Sequence, residues 1–84
     1  MKMKIKLYTL TTCHDCTELK RQLQEEGLDF SELTRYEEVL KVARERHLSR
    51  VPFAVIEVDG EIKVAEGLEN IVDLIQNNRR GSSE

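Results

Sequence analysis

The sequence predicts an α/β domain: one four-stranded mixed sheet with helices on both faces, in the order βαβαββα. Three observations predict it. Residues 3–8 alternate in strand fashion, with Met3, Ile5 and Leu7 on one side and Lys4, Lys6 and Tyr8 on the other. Apolar residues then recur at helical spacing three times: Cys16, Leu19 and Leu23; Tyr36, Val39, Leu40 and Ala43; and Leu68, Ile71, Val72 and Ile75. Asp59-Gly60 separates two apolar-rich runs, 53–58 and 61–65, and both turn residues tolerate positive φ, so these runs form a hairpin.

The elements follow in order. Thr9 to Thr12 is a polar loop after the first strand. The first helix starts at Cys13 or His14 and stops near Glu26, because Gly27 suits a helix C-terminus. Leu28, Phe30 and Leu33 suggest a second short strand. Thr34 and Glu37 have capping-box spacing, which predicts a helix opening at Thr34. His47 continues the apolar stripe of that helix as a core-edge residue. Pro52 stops helix continuation and keeps Val51 extended. Strands joined through a helix pair in parallel, and hairpin strands pair antiparallel. The domain spans residues 1–78. Residues 79–84 carry no apolar side chain and form a flexible tail.

Composition bounds the function. The 84 residues make one small domain. A net charge of −3 argues against a phosphate-binding surface, and four Phe and Tyr with no Trp argue against base stacking, so no nucleic acid is expected. No apolar run is long enough to span a membrane. The alternating start lacks the continuous apolar stretch of a signal peptide, so the expected setting is cytoplasmic. Two cysteines in such a setting point to catalysis or metal binding before a structural staple. Lys2, Lys4 and Lys6, like the charges of the second helix, read as ordinary solvated side chains.

Cys13-His14-Asp15-Cys16 falls where the first strand gives way to the first helix. That spacing puts both sulfurs on one side, about one turn apart. Unpaired amides at a helix start favour an anion, and the thiolate is the nucleophilic form of cysteine. An ordinary thiol, with a pKa of about 8.5, is about 3% ionised at pH 7. A helix terminus is worth roughly 0.3–2 kcal/mol, which raises that to about 50% at the upper end. Protonated His14 would add to this, and Asp15 and Glu18 would oppose it. The chemistry that follows is thiol–disulfide exchange, with Cys13 attacking and Cys16, the more shielded thiol, resolving. Two other readings stay open: a metal or cluster carrier, which needs ligands beyond His14 and His47, and a non-catalytic binding module.

Three segments, Tyr8-Thr9-Leu10-Thr11-Thr12-Cys13-His14-Asp15-Cys16, Arg50-Val51-Pro52 and Glu66-Gly67-Leu68, resemble the signature segments of glutaredoxins in order and distance. The resemblance spans residues 3–77. It implies the thioredoxin-like fold, with sheet order second, first, third, fourth strand. It also implies a small oxidoreductase or electron carrier that reduces protein or low-molecular-weight disulfides. Cys13 and Cys16 would be catalytic, and Thr12, His14, Val51, Pro52, Gly67, Leu68 and Glu69 would line the substrate site. Pro52 would be a cis-proline, with the backbone of Val51 pairing with substrate. The resemblance implies no bound cofactor and no metal, a monomer, and either glutathione or a thioredoxin-reductase-type enzyme as electron donor.

The chain departs from the family pattern in three places. His14-Asp15 replaces the common Pro-Tyr. Arg50 stands where many members have Thr and is read as a surface charge able to attract a carboxylate. Leu68 replaces the second glycine of the segment that holds the γ-glutamyl end of glutathione, and a side chain there keeps backbone away from a ligand. A related group of redoxins takes electrons from thioredoxin reductase. Its Trp-containing segment has no match in this chain.

Overall fold

The computed structural model describes residues 3–11 and 13–81. The elements are β1 (Met3–Tyr8), α1 (His14–Glu25), β2 (Ser31–Leu33), α2 (Tyr36–Glu45), β3 (Phe53–Val58), β4 (Glu61–Glu66) and α3 (Leu68–Gly81). The four strands form one sheet in the order β2-β1-β3-β4. β1 runs parallel to β2 and antiparallel to β3, and β3 is antiparallel to β4. This is the mixed sheet the alternating pattern and the hairpin predict. No helix of the described residues is long and apolar enough to cross a membrane.

The two sheet faces carry separate cores. Ile5 and Leu7 of β1 and Ala54, Ile56 and Val58 of β3 pack against Leu19 and Leu23 of α1 and Ile71 and Ile75 of α3. On the other face Tyr8 and Phe53 pack under Val39 of α2, with Leu33, Val42 and Ala43 around them. The Tyr8 and Phe53 rings stack with centroids 4.7 Å apart and planes 9° apart, a favourable aromatic contact. Lys4 and Lys6 alternate onto this second face and stay exposed.

Both α1 and α2 stop by the same device. After α1, Gly27 takes φ +71°, its N–H donates to the Gln24 carbonyl (3.1 Å), and the Leu28 N–H donates to Leu23 (3.0 Å). After α2, His47 takes φ +58°, its N–H donates to Arg44 (3.2 Å), and the Leu48 N–H donates to Ala43 (2.8 Å). These are paired C-terminal caps with a left-handed residue just past the helix. His47 is therefore exposed and outside the helix. The apolar stripe does not reach it, because the chain turns away one residue earlier. Asp59 (φ +52°) and Gly60 (φ +87°) make the expected tight turn between β3 and β4.

Three boundaries differ from the sequence expectation. The capping box at Thr34 does not form. The residue that caps α2 is Arg35, with no side-chain capping bond, and its guanidinium instead meets Glu38 at 3.1 Å. β2 starts at Ser31, because only residues 31–33 pair with β1, while Leu28 and Phe30 lead in over the first core. α3 runs through Gly81, so residues 79–81 of the expected tail are helical. Arg79 and Gln76 both reach Glu26 at the end of α1. Residues 82–84 lie outside the described residues.

Candidate active site

The site is built where β1 ends. The Cys13 N–H donates to the Leu10 carbonyl (3.2 Å), which folds the connecting loop into a turn. Cys13 then sits as the N-cap of α1 in an extended conformation, φ −89° and ψ 116°. Its sulfur accepts the Cys16 N–H at 3.1 Å. That is the job of a Ser or Asp oxygen at an ordinary cap, done here by sulfur. Cys13 and Cys16 are joined as a disulfide, with Cα atoms 5.2 Å apart. The two sulfurs are unequal in access: Cys13 is half-buried, whereas Cys16 is 2% exposed beneath it. An amide aimed at sulfur favours the thiolate once the bond opens.

The charges around the pair are largely settled among themselves. Glu18, on the next turn, is held down to about 2, first by its hydrogen bonds from Arg21, then from Gln22, with a smaller contribution from His14. Arg21 also pairs with Glu25, so the acidic side of α1 is compensated. His14 and Asp15 are exposed beside the sulfurs.

The loop before β3 closes on Cys13 from the other side. The Val51–Pro52 bond is cis, as the resemblance implies. The Val51 carbonyl oxygen lies 3.9 Å from Cys13 Sγ. Pro52 is buried, and its carbonyl accepts the Gly67 N–H at 2.7 Å. Gly67 holds φ +89°, and a Cβ there would stand 2.7 Å from the Arg50 guanidinium carbon. The structure thus gathers Cys13, Cys16, Val51, Pro52 and Gly67. Leu68 is half-buried against the first core, and with the exposed Glu69 it borders a shallow cleft of about 280 Å³ facing Gln22 of α1. Thr12 lies outside the described residues.

Two supporting groups are not evident from sequence. Thr9, 1% exposed, donates through its hydroxyl to Glu32 (2.6 Å), which also pairs with Lys20 (2.9 Å). This ties the end of β1 to β2 and to α1, one turn beyond Cys16. Burial alone would raise the Glu32 carboxyl, but the Thr9 hydroxyl and the Lys20 ammonium outweigh it, and the net direction is down. Glu66 is the second group. Its carboxylate accepts the N–H groups of Ser49 and Arg50, both at 2.9 Å. In the sequence Glu66 opens the third signature-like segment, but nothing in that segment says that its carboxylate meets residues 49 and 50.

A β2-β1-β3-β4 sheet with a Cys-x-x-Cys pair capping the first helix and a cis-proline just before the third strand is the thioredoxin-like fold. In architecture the chain is similar to glutaredoxin-like proteins. Glutaredoxin 1 from Francisella tularensis, solved in complex with cacodylate, is 25% identical with a TM-score of 0.65, covering 99% of this chain and 100% of its own. The glutaredoxin-like NrdH-redoxin from Escherichia coli is 24% identical with a TM-score of 0.68, covering 88% and 92%. A chain from the complex of ferredoxin:thioredoxin reductase and thioredoxin f2 is 19% identical with a TM-score of 0.66, covering 93% and 78%. No protein-family profile matches the chain, and no curated protein matches it. The shared fold and the bonded sulfur pair support a redox protein.

Proposed function

We propose that the protein is a dithiol–disulfide oxidoreductase that reduces protein or small-molecule disulfides. The observation that carries the reading is the inequality of the two sulfurs. Cys13 caps the helix at half exposure and receives the Cys16 N–H, while Cys16 is buried one turn inward. In the reduced protein the Cys13 thiolate attacks one sulfur of a substrate disulfide, and the departing sulfur takes up a proton. Cys16 then gives up its proton and attacks Cys13 Sγ, releasing the second substrate thiol. Two electrons have passed to the substrate, and the Cys13–Cys16 bond remains for a donor to reduce. His14, Val51, Pro52 and Gly67 flank this exchange, and Thr12, Leu68 and Glu69 belong to the proposed substrate site on the resemblance. The same reading puts a monomer in a reducing compartment such as the cytoplasm.

The test is reduction of insulin disulfides with dithiothreitol as donor. Cys13→Ser should abolish it, and Cys16→Ser should accumulate the mixed disulfide on Cys13. Unchanged reduction by Cys13→Ser removes the proposal.

One observation favours a thioredoxin-reductase-type donor over glutathione. The Gly67 N–H is taken by Pro52, Arg50 lies over Gly67, and Leu68 packs on the core, so little bare backbone is left for a γ-glutamyl group. Supplying the oxidised protein with glutathione and, separately, with a thioredoxin-reductase system should give faster disulfide opening in the second arm. Equal or faster opening by glutathione reverses this choice of donor.

A further inference from the structure

Val51 brings backbone from outside α1 up to Cys13, its carbonyl 3.9 Å from Cys13 Sγ. Among the described residues neither the Val51 N–H nor its C=O takes a backbone partner, and the residue is half-buried. An extended polypeptide can add to such an edge as a strand does, but only if the edge is held at a fixed place. Residues 48–52 have no helix or strand to hold them. Two clamps do it instead. Upstream, one oxygen of the Glu66 carboxylate accepts both the Ser49 and the Arg50 N–H at 2.9 Å. Downstream, the Gly67 N–H donates to the Pro52 carbonyl at 2.7 Å. Val51 is suspended between them, and both clamps come from consecutive residues at the end of β4.

We propose that Glu66 is a positioning residue for polypeptide disulfides: it fixes the Val51 backbone beside Cys13 so that a chain flanking the substrate disulfide can dock. The proposal rests on the oxidoreductase reading and names its substrate class, an extended polypeptide around the disulfide. Hydrogen bonds to an ionised acceptor are among the stronger ones, so the two amide contacts suffice to hold a loop. Glu66 touches neither sulfur. Its effect therefore falls on docking of a long substrate, while a small disulfide needs only access to Cys13. The remaining Glu66 contacts agree with a rigid post. It pairs with Phe53 across the β3–β4 ladder, and its carbonyl accepts from the Asn70 side chain at 3.0 Å.

The experiment compares insulin with bis(2-hydroxyethyl) disulfide as substrates, with dithiothreitol as the common donor. Glu66→Ala should lower the ratio of kcat/KM for insulin to that for the small disulfide about tenfold, equivalent to about 1.4 kcal/mol, through KM for insulin. Glu66→Gln should restore most of that ratio, because its amide oxygen accepts the same two N–H groups. If Glu66→Ala does not fold, Glu66→Asp, one methylene short of both amides, gives the same readout. An unchanged ratio, or equal slowing of both substrates, overturns the proposal while leaving the oxidoreductase reading intact. A wild-type protein that reduces neither substrate overturns the reading itself.

Discussion

Replacing His47 with Gly should stabilise the protein. His47 is exposed, follows α2 and holds φ +58°. The left-handed conformation costs an L-residue with a side chain roughly 1–2 kcal/mol. Glycine removes that cost but loses more backbone entropy on folding, roughly 0.5–1 kcal/mol. The difference leaves about 0.5–1 kcal/mol in favour of the variant. For a domain of this size 1 kcal/mol moves the melting midpoint by about 4–8 °C, so a rise of about 2–8 °C is expected. The structure supplies its own mirror experiment at Gly27, which closes α1 in the same way at φ +71°. A Cβ added there meets no atom within 4 Å, so Gly27→Ala tests the backbone term alone and should cost about 1 kcal/mol. Urea and thermal unfolding of both variants provide the measurement. A His47→Gly protein no more stable than wild type, or a neutral Gly27→Ala, would refute the assignment of both caps.

Three further outcomes follow from the structure. Gly67→Ala should destabilise by about 1–3 kcal/mol because of its φ of +89°. Adding Arg50→Ala should not relieve that loss in urea unfolding, since the guanidinium is the free end of a flexible side chain. Thr9→Val removes the hydroxyl that reaches Glu32 and should cost about 1–3 kcal/mol by chemical denaturation, with a fold unchanged by circular dichroism. The Glu32 carboxyl is lowered in the folded state, so its contribution is complete above its ordinary value of 4.5 and is lost as pH falls below it. Between pH 5 and 3 the wild type should therefore lose stability more steeply than Glu32→Gln, and parallel curves would count against the network.

Legibility in the sequence tracked the range of the interaction. Alternation in residues 3–8 and helical spacing in α1 and α3 report burial directly, because one residue in two, or in three and four, must face a core. The Cys-x-x-Cys pair was equally plain, since its geometry is set within one helical turn. Caps were less legible. Thr34 and Glu37 have the right spacing, yet Arg35 stays extended and the helix begins after it. His47 matches the stripe of α2 in projection, but the chain leaves the helix before reaching it. Contacts between distant segments were invisible. Nothing local to Glu66 says that its carboxylate meets residues 49 and 50, and nothing local to Thr9 says that Glu32 waits 23 residues away. The end of α3 is hidden from the local sequence for the same reason: Arg79 is held by Glu26, just past the end of α1.

The ring closed by Cys13 and Cys16 is short, with a sequence separation of three. By chain-entropy reasoning a loop this small restrains the unfolded polypeptide by only about 2 kcal/mol, against nearly 5 for a loop of a hundred residues. The bond is thus a poor staple, and the two cores must keep the molecule in shape whether it is open or shut. A cross-link that contributes so little to architecture can open or close without asking the rest of the chain to refold.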